Sequence, residues 1–466
     1  MIDGLRPYPE MKASGIEWLP ILPNGWEIHR AKYSFQEADD RSESGGEELL
    51  SVSHKTGVTP RSQKNITMFM AESYEGHKVC RPGDIVVNTM WAWMAAIGVS
   101  RHVGIVSPAY GVYRPRTAER FEPKFLDDLL RTEAYRAEYL RSSRGVTTSR
   151  LRLYPPDFLN IPFVQPPLDE QRLIVRFLDW HGAQTAKLVR AKKKIIALLN
   201  EQKQAIIHRA VTRGLDPNAK LKPSGIPWLG DVLEGWEVKR AKYVFKIIDI
   251  RSETGAEELL TVSSRKGVVR RSTQTVTMFM AASYIGHKLC WPNDLVINSL
   301  WAWANGLGFS QAHGIVSTAY SVYRLLPTYS QLWQYLDYAL RSGVYEREFQ
   351  VRSKGIWISR LQLSDQSFLN MPLLLPNPAE AVAICQYIRR ETATLDMAIS
   401  DIEREITFIQ EFRARLIADV VTGKLDVRAA AASLPEVTEI EPVDDSGEGD
   451  DLDESIDDAE NEEVAA

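Results

Sequence analysis

The sequence predicts an α+β protein: one mixed α/β unit written twice, each copy followed by a long helix, the two helices packing on each other as a coiled coil, and a disordered acidic tail at the C-terminus. Three observations carry this. The 466-residue chain repeats itself without a gap at a spacing of 210, so that Trp26 recurs as Trp236, Trp91 as Trp301 and Asp216 as Asp426. Short β-rich runs fill the first part of each copy, and long Gly- and Pro-free segments with apolar steps of three and four follow. A period this long indicates a duplicated domain rather than a stacked solenoid, whose repeats run to about 20–50 residues.

Each copy opens alike, with "SGIEWLPILPNGWEIHRAKYSF" from Ser14 matched by "SGIPWLGDVLEGWEVKRAKYVF" from Ser224. "EELLSVS" then matches "EELLTVS", "TMFMAESYEGHKVC" matches "TMFMAASYIGHKLC", and "GIVSPAYGVYR" matches "GIVSTAYSVYR". The runs "ELLSVS", "DIVVNT" and "YGVYR" read as strands, because β-branched and aromatic residues dominate and Gly, Pro and Asn punctuate them. A helix is expected over 123–139, where Phe125, Leu129, Leu130 and Tyr135 recur near helical spacing, with its counterpart over 330–344.

Pro166-Pro167 end the last strand of the first copy, and Asp169-Glu170 suit a helix start. From Thr185 to Thr212 the first seam carries Val189, Ile196, Leu199 and Ile206. The second is stricter, with Leu395, Ile399, Ile402, Ile406, Ile409 and Leu416. About 28 residues at 1.5 Å each give a rod of about 40 Å. The expected boundaries are a first mixed domain over 1–165, a long helix over 166–216, a second mixed domain over 217–375, a second long helix over 376–428 and the tail over 429–466.

The formal net charge of -5 hides an uneven distribution. Between Glu436 and Glu463 lie 15 acidic residues and no basic one, so the 61 acidic residues fall to 46 against 56 basic ones in the body. A basic body suits a polyanionic partner, and the tail reads as disordered and solvated. With 3 cysteines and no pairing framework, a reducing cytoplasmic compartment is expected. The N-terminus lacks the pattern of a secretory signal, and no apolar run approaches the about 20 residues of a membrane span.

Catalytic signatures are missing. The sequence holds no GxxxxGK[ST] phosphate loop, no GxGxxG fingerprint and no GxSxG elbow. "YPPDF" from Tyr154 only echoes the Asn-Pro-Pro-aromatic segment of amino-methyltransferases and is not repeated. His77 with Cys80, and His287 with Cys290, offer two metal ligands per copy where a structural zinc needs four, so no metal is expected.

The candidate DNA-binding residues are polar and basic groups in or beside loops. They are Arg61, Lys64, Lys78, Asn88, Arg101, Arg144, Thr147 and Arg150 in the first copy, with Arg114 beside them. Arg271, Lys288, Asn298, Lys354 and Arg360 are the candidates in the second. Arg and Lys suit phosphates or guanine, and Asn suits adenine. Trp91-Ala-Trp93 alternates as a strand would, placing both rings on one face; core packing is the default, and a face that meets DNA is the alternative.

Taken in order, these segments resemble the specificity subunit of type I restriction-modification systems. The residues that carry the resemblance are the "SGIPWLGDVLEGWEVKRAKYVF" opening, "GDIVVNTMWAWMAAIGVS" with "GIVSPAYGVYRP", "PPLDEQRLIVRFLD" at the helix start and "LLNEQKQAIIHRAVTRGLDP" at its end. It covers nearly all of the chain to about Asp426. The second copy departs from it with "PNPAEAVAICQYI" at its helix start, and the acidic tail lies outside it.

The resemblance implies two target-recognition domains, each reading one half of a split duplex-DNA site. It implies an antiparallel coiled coil that fixes the spacer between them. Two methylation subunits would dock on the helices and bring S-adenosylmethionine, and motor-nuclease restriction subunits would join them. The chain itself would hold no cofactor and catalyse nothing. Two similar domains imply a near-palindromic interrupted target. A coiled-coil interaction scaffold that no longer binds DNA is the alternative reading.

Overall fold

The computed structural model describes residues 5–63, 73–117, 120–145, 151–273, 283–355 and 361–435. The acidic segment from Glu436 onward lies outside the described residues. The chain divides into two compact units, Met1–Lys192 with Arg404–Ala466, and Lys193–Glu403. Among the described residues, no helix is long and apolar enough to cross a membrane.

The first unit runs β1 (Met11–Ile16), β2 (Leu19–Pro23), β3 (Glu27–Arg30), β4 (Phe35–Glu37), β5 (Leu50–Ser53), β6 (Gly57–Pro60), β7 (Lys78–Cys80), β8 (Ile85–Val87), β9 (Ile97–Val99), β10 (Gly104–Val106) and β11 (Gly111–Pro115). Then come α1 (Pro123–Leu130), α2 (Glu133–Ser142), α3 (Pro155–Leu159), β12 (Pro162–Gln165) and the long α4 (Leu168–Arg213). The second unit follows as β13 (Leu221–Pro223), β14 (Asp231–Leu233), β15 (Glu237–Arg240), β16 (Phe245–Ile248), β17 (Leu260–Ser263), β18 (Gly267–Arg270), β19 (Lys288–Cys290), β20 (Asp294–Asn298), β21 (Leu307–Phe309), β22 (Gly314–Val316) and β23 (Tyr320–Leu325). It continues with α5 (Trp333–Leu340), α6 (Gly343–Arg352), α7 (Asp365–Leu369), β24 (Pro372–Leu375) and the long α8 (Pro378–Val421), after which α9 (Arg428–Ser433) returns to the first unit.

The duplication holds at the level of strand register. The first unit centres on an antiparallel sheet of order β4-β11-β8-β9, the second on β16-β23-β20-β21. Gly111 faces Val87 in one and Ser321 faces Ile297 in the other, both pairs shifted by 210. The strands expected over "ELLSVS", "DIVVNT" and "YGVYR" correspond to β5, β8 and β11. One face of each central sheet packs on the helices, through Ile85, Val87, Phe125, Leu129 and Tyr135 in the first unit and Leu295, Ile297, Leu336, Leu340 and Tyr345 in the second.

The helix expected over 123–139 is two helices, because the chain breaks at Arg131-Thr132. The Thr132 hydroxyl donates back to the Leu129 carbonyl, taking the acceptor that a continuing turn would use. Its counterpart is likewise split, into α5 and α6, behind a 3-10 segment over Pro327–Leu332.

The long helices, expected over 166–216 and 376–428, run for 46 residues in α4 and 44 in α8 and extend well beyond the seam stretch of about 28 residues. Gly182 does not stop α4, whose first turns bury Ile174, Phe177 and Leu178 in the first unit's core. At 1.5 Å per residue these helices measure about 69 and 66 Å. The departing start of α8 is well made: Pro378 stands at its first position and the Asn377 side chain accepts from the Glu380 amide at 2.9 Å.

In the first unit the start of α4 lies against the end of α8, Phe177 and Leu178 sharing a core with Leu416 and Val420. In the second the end of α4 lies against the start of α8, Ile207 and Val211 sharing a core with Ile384 and Ile388. Within each unit the helices therefore run antiparallel. The seam residues Val189, Ile196, Leu199, Ile206, Leu395, Ile399, Ile402 and Ile409 are half-buried, and Ile406 and Leu416 are buried. Lys192 and Lys203 continue the same seam and pair with Glu405 and Asp396. Polar seam residues of this kind fix register. Lys203→Glu is expected to loosen the helix pair by about 1 kcal/mol, and adding Asp396→Lys to restore it, as read from amide exchange at Leu199 and Ile399. No recovery in the double variant would remove the register role.

Residues 429–434, expected in the tail, belong to the fold. Ala431 is buried, Arg176 donates to the Leu434 carbonyl, and Asp426 pairs with Arg6 across an isolated bridge.

Candidate nucleic-acid interface

Each unit carries a short, tightly closed loop between an inner strand of its central sheet and the edge strand beside it, β8 to β9 in the first unit and β20 to β21 in the second. In the first unit it leaves β8 at Asn88 and returns to β9 at Ala96. The Asn88 amide donates to the Ala96 carbonyl at 3.0 Å, and the Ala96 amide to the Trp91 carbonyl at 3.2 Å. The second unit repeats this, Asn298 to Gly306 at 2.8 Å and Gly306 to Trp301 at 2.9 Å. Ala95 and Asn305 adopt left-handed backbone, with φ of 63° and 61°.

This loop corrects the strand expected for Trp-Ala-Trp. Ala92–Met94 and Ala302–Ala304 are 3-10 turns, and the cross-loop hydrogen bonds are what replace strand alternation. The rings nevertheless share a side. Trp91 and Trp93 stack with centroids 5.9 Å apart and planes at 23°, Trp301 and Trp303 at 5.6 Å and 20°. Core packing does not account for the pair: Trp301 is 54% exposed and the other three rings are half-buried.

The asparagines hold the loop. Asn88 is buried, its Nδ2 donating to the Tyr110 hydroxyl at 3.1 Å and its Oδ1 accepting from the Met90 amide at 3.2 Å. Asn298 accepts from the Leu300 amide at 3.2 Å. The fold engages the Asn88 side chain at both its nitrogen and its oxygen, and Asn298 through its oxygen.

Beside the loop lies an irregular pair of strand segments. Arg144 and Arg152 exchange both backbone hydrogen bonds at 2.9 Å, and the Leu153 amide ties them to the loop at the Thr89 carbonyl. Lys354 and Gln362 repeat the pairing, with Leu363 bonded to Ser299. Arg144 and Lys354 are exposed, and Arg144 Nη2 contacts Asp157 Oδ1 at 2.6 Å. Lys64, Thr147, Arg150 and Arg360 lie outside the described residues.

Sequence reasoning missed Arg152, whose Nη2 lies 3.7 Å from Met90 Sδ at the edge of the Trp loop. It also missed Tyr110, which anchors Asn88. Tyr110 recurs as Tyr320 at the 210 spacing, a signal that could have found it, whereas Arg152 is Gln362 in the second copy.

Other candidates sit at other turns. Arg61 and Arg271 begin 3-10 turns after β6 and β18, half-buried, with their amides bonded to the Leu49 and Leu259 carbonyls. Arg101 is exposed between β9 and β10. Lys78 is buried against Glu37 at 3.9 Å and Asp39 at 3.7 Å, and Lys288 donates to the Tyr320 carbonyl at 2.8 Å. Both lysines are therefore engaged inside the fold.

Arg114 is the clearest departure from a surface cation. It forks onto Asp84 at 3.1 and 3.0 Å and reaches Asp40 at 2.8 Å. These carboxylates hold its guanidinium even more firmly charged than usual. Arg324 does the same on Asp294, both contacts at 2.7 Å.

Among the described residues no three or more His, Cys, Asp or Glu gather in a way that could hold a metal ion. Burial pushes the Cys80 and Cys290 thiols up to about 11 and holds the His77 imidazole below its usual range. Thiols kept protonated in this way are poor metal ligands.

No family model matches the sequence, and no curated protein matches it. Solved structures do. A chain from a structure of the type I R-M system, described for its complex assembly and conformational transition, matches with a TM-score of 0.53 at 16% identity. The match covers 86% of this chain and 98% of that one, and it shows a shared fold. The HsdS subunit from Thermoanaerobacter tengcongensis matches at TM-score 0.37 and 18% identity, covering 86% of this chain and 96% of that one. The type I restriction-modification S subunit from M. genitalium matches at TM-score 0.31 and 10% identity, covering 85% and 96%.

Proposed function

We propose that this chain is the DNA-specificity subunit of a type I restriction-modification complex. Each unit reads one half of an interrupted duplex target, and the paired helices set the gap. The observation that carries this reading is the duplication itself: two units identical in strand register to the residue, each built on an antiparallel stretch of the same two helices. The fold shared with a chain of a type I system supports it.

Arg61, Arg101, Arg144, Arg271 and Lys354 supply cations for phosphates or guanine edges, and Lys64, Thr147, Arg150 and Arg360 extend that set. Asn88 and Asn298 serve by holding the loop, and Lys78 and Lys288 by holding the sheet. Two methylation subunits, carrying S-adenosylmethionine, dock on the helices. Exposed apolar residues on those helices, Leu188, Ile195 and Leu198 on α4 and Met397, Phe408 and Phe412 on α8, support a protein partner there. Motor-nuclease subunits join for restriction. The chain recognises and measures, and the chemistry belongs to its partners.

Two similar units read two similar half-sites. Expressing the chain with its methylation partner and mapping modified adenines is expected to give a bipartite, near-palindromic motif with one modified adenine on each strand. Unrelated halves would overturn the near-palindrome. An assembled complex that modifies no motif would overturn DNA recognition and favour a scaffold.

A further inference from the structure

The stacked tryptophans are large apolar rings held at the surface, and neither core packing nor phosphate contact explains them. We propose that Trp91 backed by Trp93, and Trp301 backed by Trp303, form a stacking site for a nucleobase that has left the duplex stack. The proposal rests on the reading of this chain as a DNA-binding subunit.

Four features lead there. The loop is pre-organised, closed by backbone hydrogen bonds at both ends and locked by a left-handed residue at its return. In the second unit the inner ring is fixed, since Trp303 Nε1 donates to the Leu300 carbonyl at 3.0 Å. The outer ring lies nearly parallel to it and, at Trp301, is more than half exposed. A rigid aromatic surface of this kind loses little conformational freedom on binding and accepts any base, because every base has a π-face. In the first unit Arg152 adds a guanidinium at the loop edge, placed for the phosphate of the stacked nucleotide.

The ligand class follows from geometry. A paired duplex shows its grooves the edges of bases and not their faces. A face-on aromatic partner therefore needs a base outside the stack. Modifying a base within a duplex requires its extrusion into the modifying subunit's pocket, which leaves the opposite base unpaired and able to leave the stack.

The test uses the full chain assembled with its methylation subunits and two duplexes carrying its mapped motif. One is fully paired, and the other has a single unpaired thymidine within a half-site. The wild type is expected to bind the second about tenfold more tightly, with quenched indole emission. Trp91→Ala with Trp301→Ala is expected to erase that preference, read as the ratio of the two affinities. Trp301→Phe with Trp91→Phe retains part of it, which separates stacking from loss of the loop. Equal affinity of the wild type for both duplexes, or a preference that survives the Ala variant, overturns the proposal but leaves DNA recognition standing. A wild type that binds neither duplex overturns both. Unchanged base preference with weakened methylation-subunit docking reassigns the rings to a protein partner.

Discussion

Arg114→Met is expected to destabilise the central sheet of the first unit by about 3–5 kcal/mol. Asp84 is 1% exposed and takes both oxygens' main contacts from Arg114, with one further bond from the Arg81 amide at 2.9 Å. Removing the guanidinium leaves a carboxylate in the sheet without its counter-charge, and desolvation makes that far worse than losing a surface pair. Asp84→Asn in the same chain is expected to recover most of the loss, because a neutral amide carries no charge to desolvate. The duplication supplies an internal control. Amide exchange at Val86 and Val112 reports the altered sheet, while Val296 and Val322 report an unaltered copy with its own Arg324–Asp294 pair. A change below about 1 kcal/mol would show that Asp84 rehydrates or protonates at little cost.

Gly423→Ala is expected to release the C-terminal segment from the first unit, at a cost of about 2–4 kcal/mol. Gly423 has a φ of 77°, which an L side chain rarely adopts, and an added Cβ would lie 2.4 Å from Pro23 Cδ and 3.2 Å from Trp26 Cη2. Trp26 cannot yield easily. It is 1% exposed, and its indole donates at 2.9 Å to Glu170, which also accepts from the Tyr8 hydroxyl at 2.5 Å. Gly214, one residue out of the 210 spacing, follows α4 against Leu233 and Trp236 of the second unit, and there the added Cβ would first meet Leu233 Cδ1, at 2.6 Å. A leucine methyl can rotate away where a proline ring cannot, so Gly214→Ala is expected to cost less. Amide exchange at Trp26 and Trp236 compares them; equal losses would mean that backbone strain alone, and not Pro23, sets the penalty.

The sequence by itself determined the architecture. The 210-residue offset required two copies of one unit, the β-rich runs located β5 and the two inner strands of the central sheet, β8 and β11, and the heptad steps located both long helices. These are periodic or repeated signals, and a linear reading detects them because side chains on one face of a strand or helix recur at fixed intervals. It also brought out Asn88, Arg144 and Lys354 beside the Trp loop, although not their roles, and passed over Arg152 and Tyr110.

Tertiary structure decided which polar groups are available. Arg114, Lys78 and Asn88 look like surface donors in the sequence, yet their partners, Asp84, Asp39 and Tyr110, arrive from other strands and loops. No periodicity announces such pairings, because burial and counter-charge are set by chain segments that meet only on folding. The same holds for the Trp pair. Its alternation imitates a strand, but hydrogen bonds from residue 88 to 96 and from 96 back to 91 close the segment into a turn and leave its rings at the surface. Tertiary structure likewise assigned residues 429–434 to the first unit. An alanine-rich segment has little intrinsic reason to stop being tail until Ala431 finds a core in which to be buried.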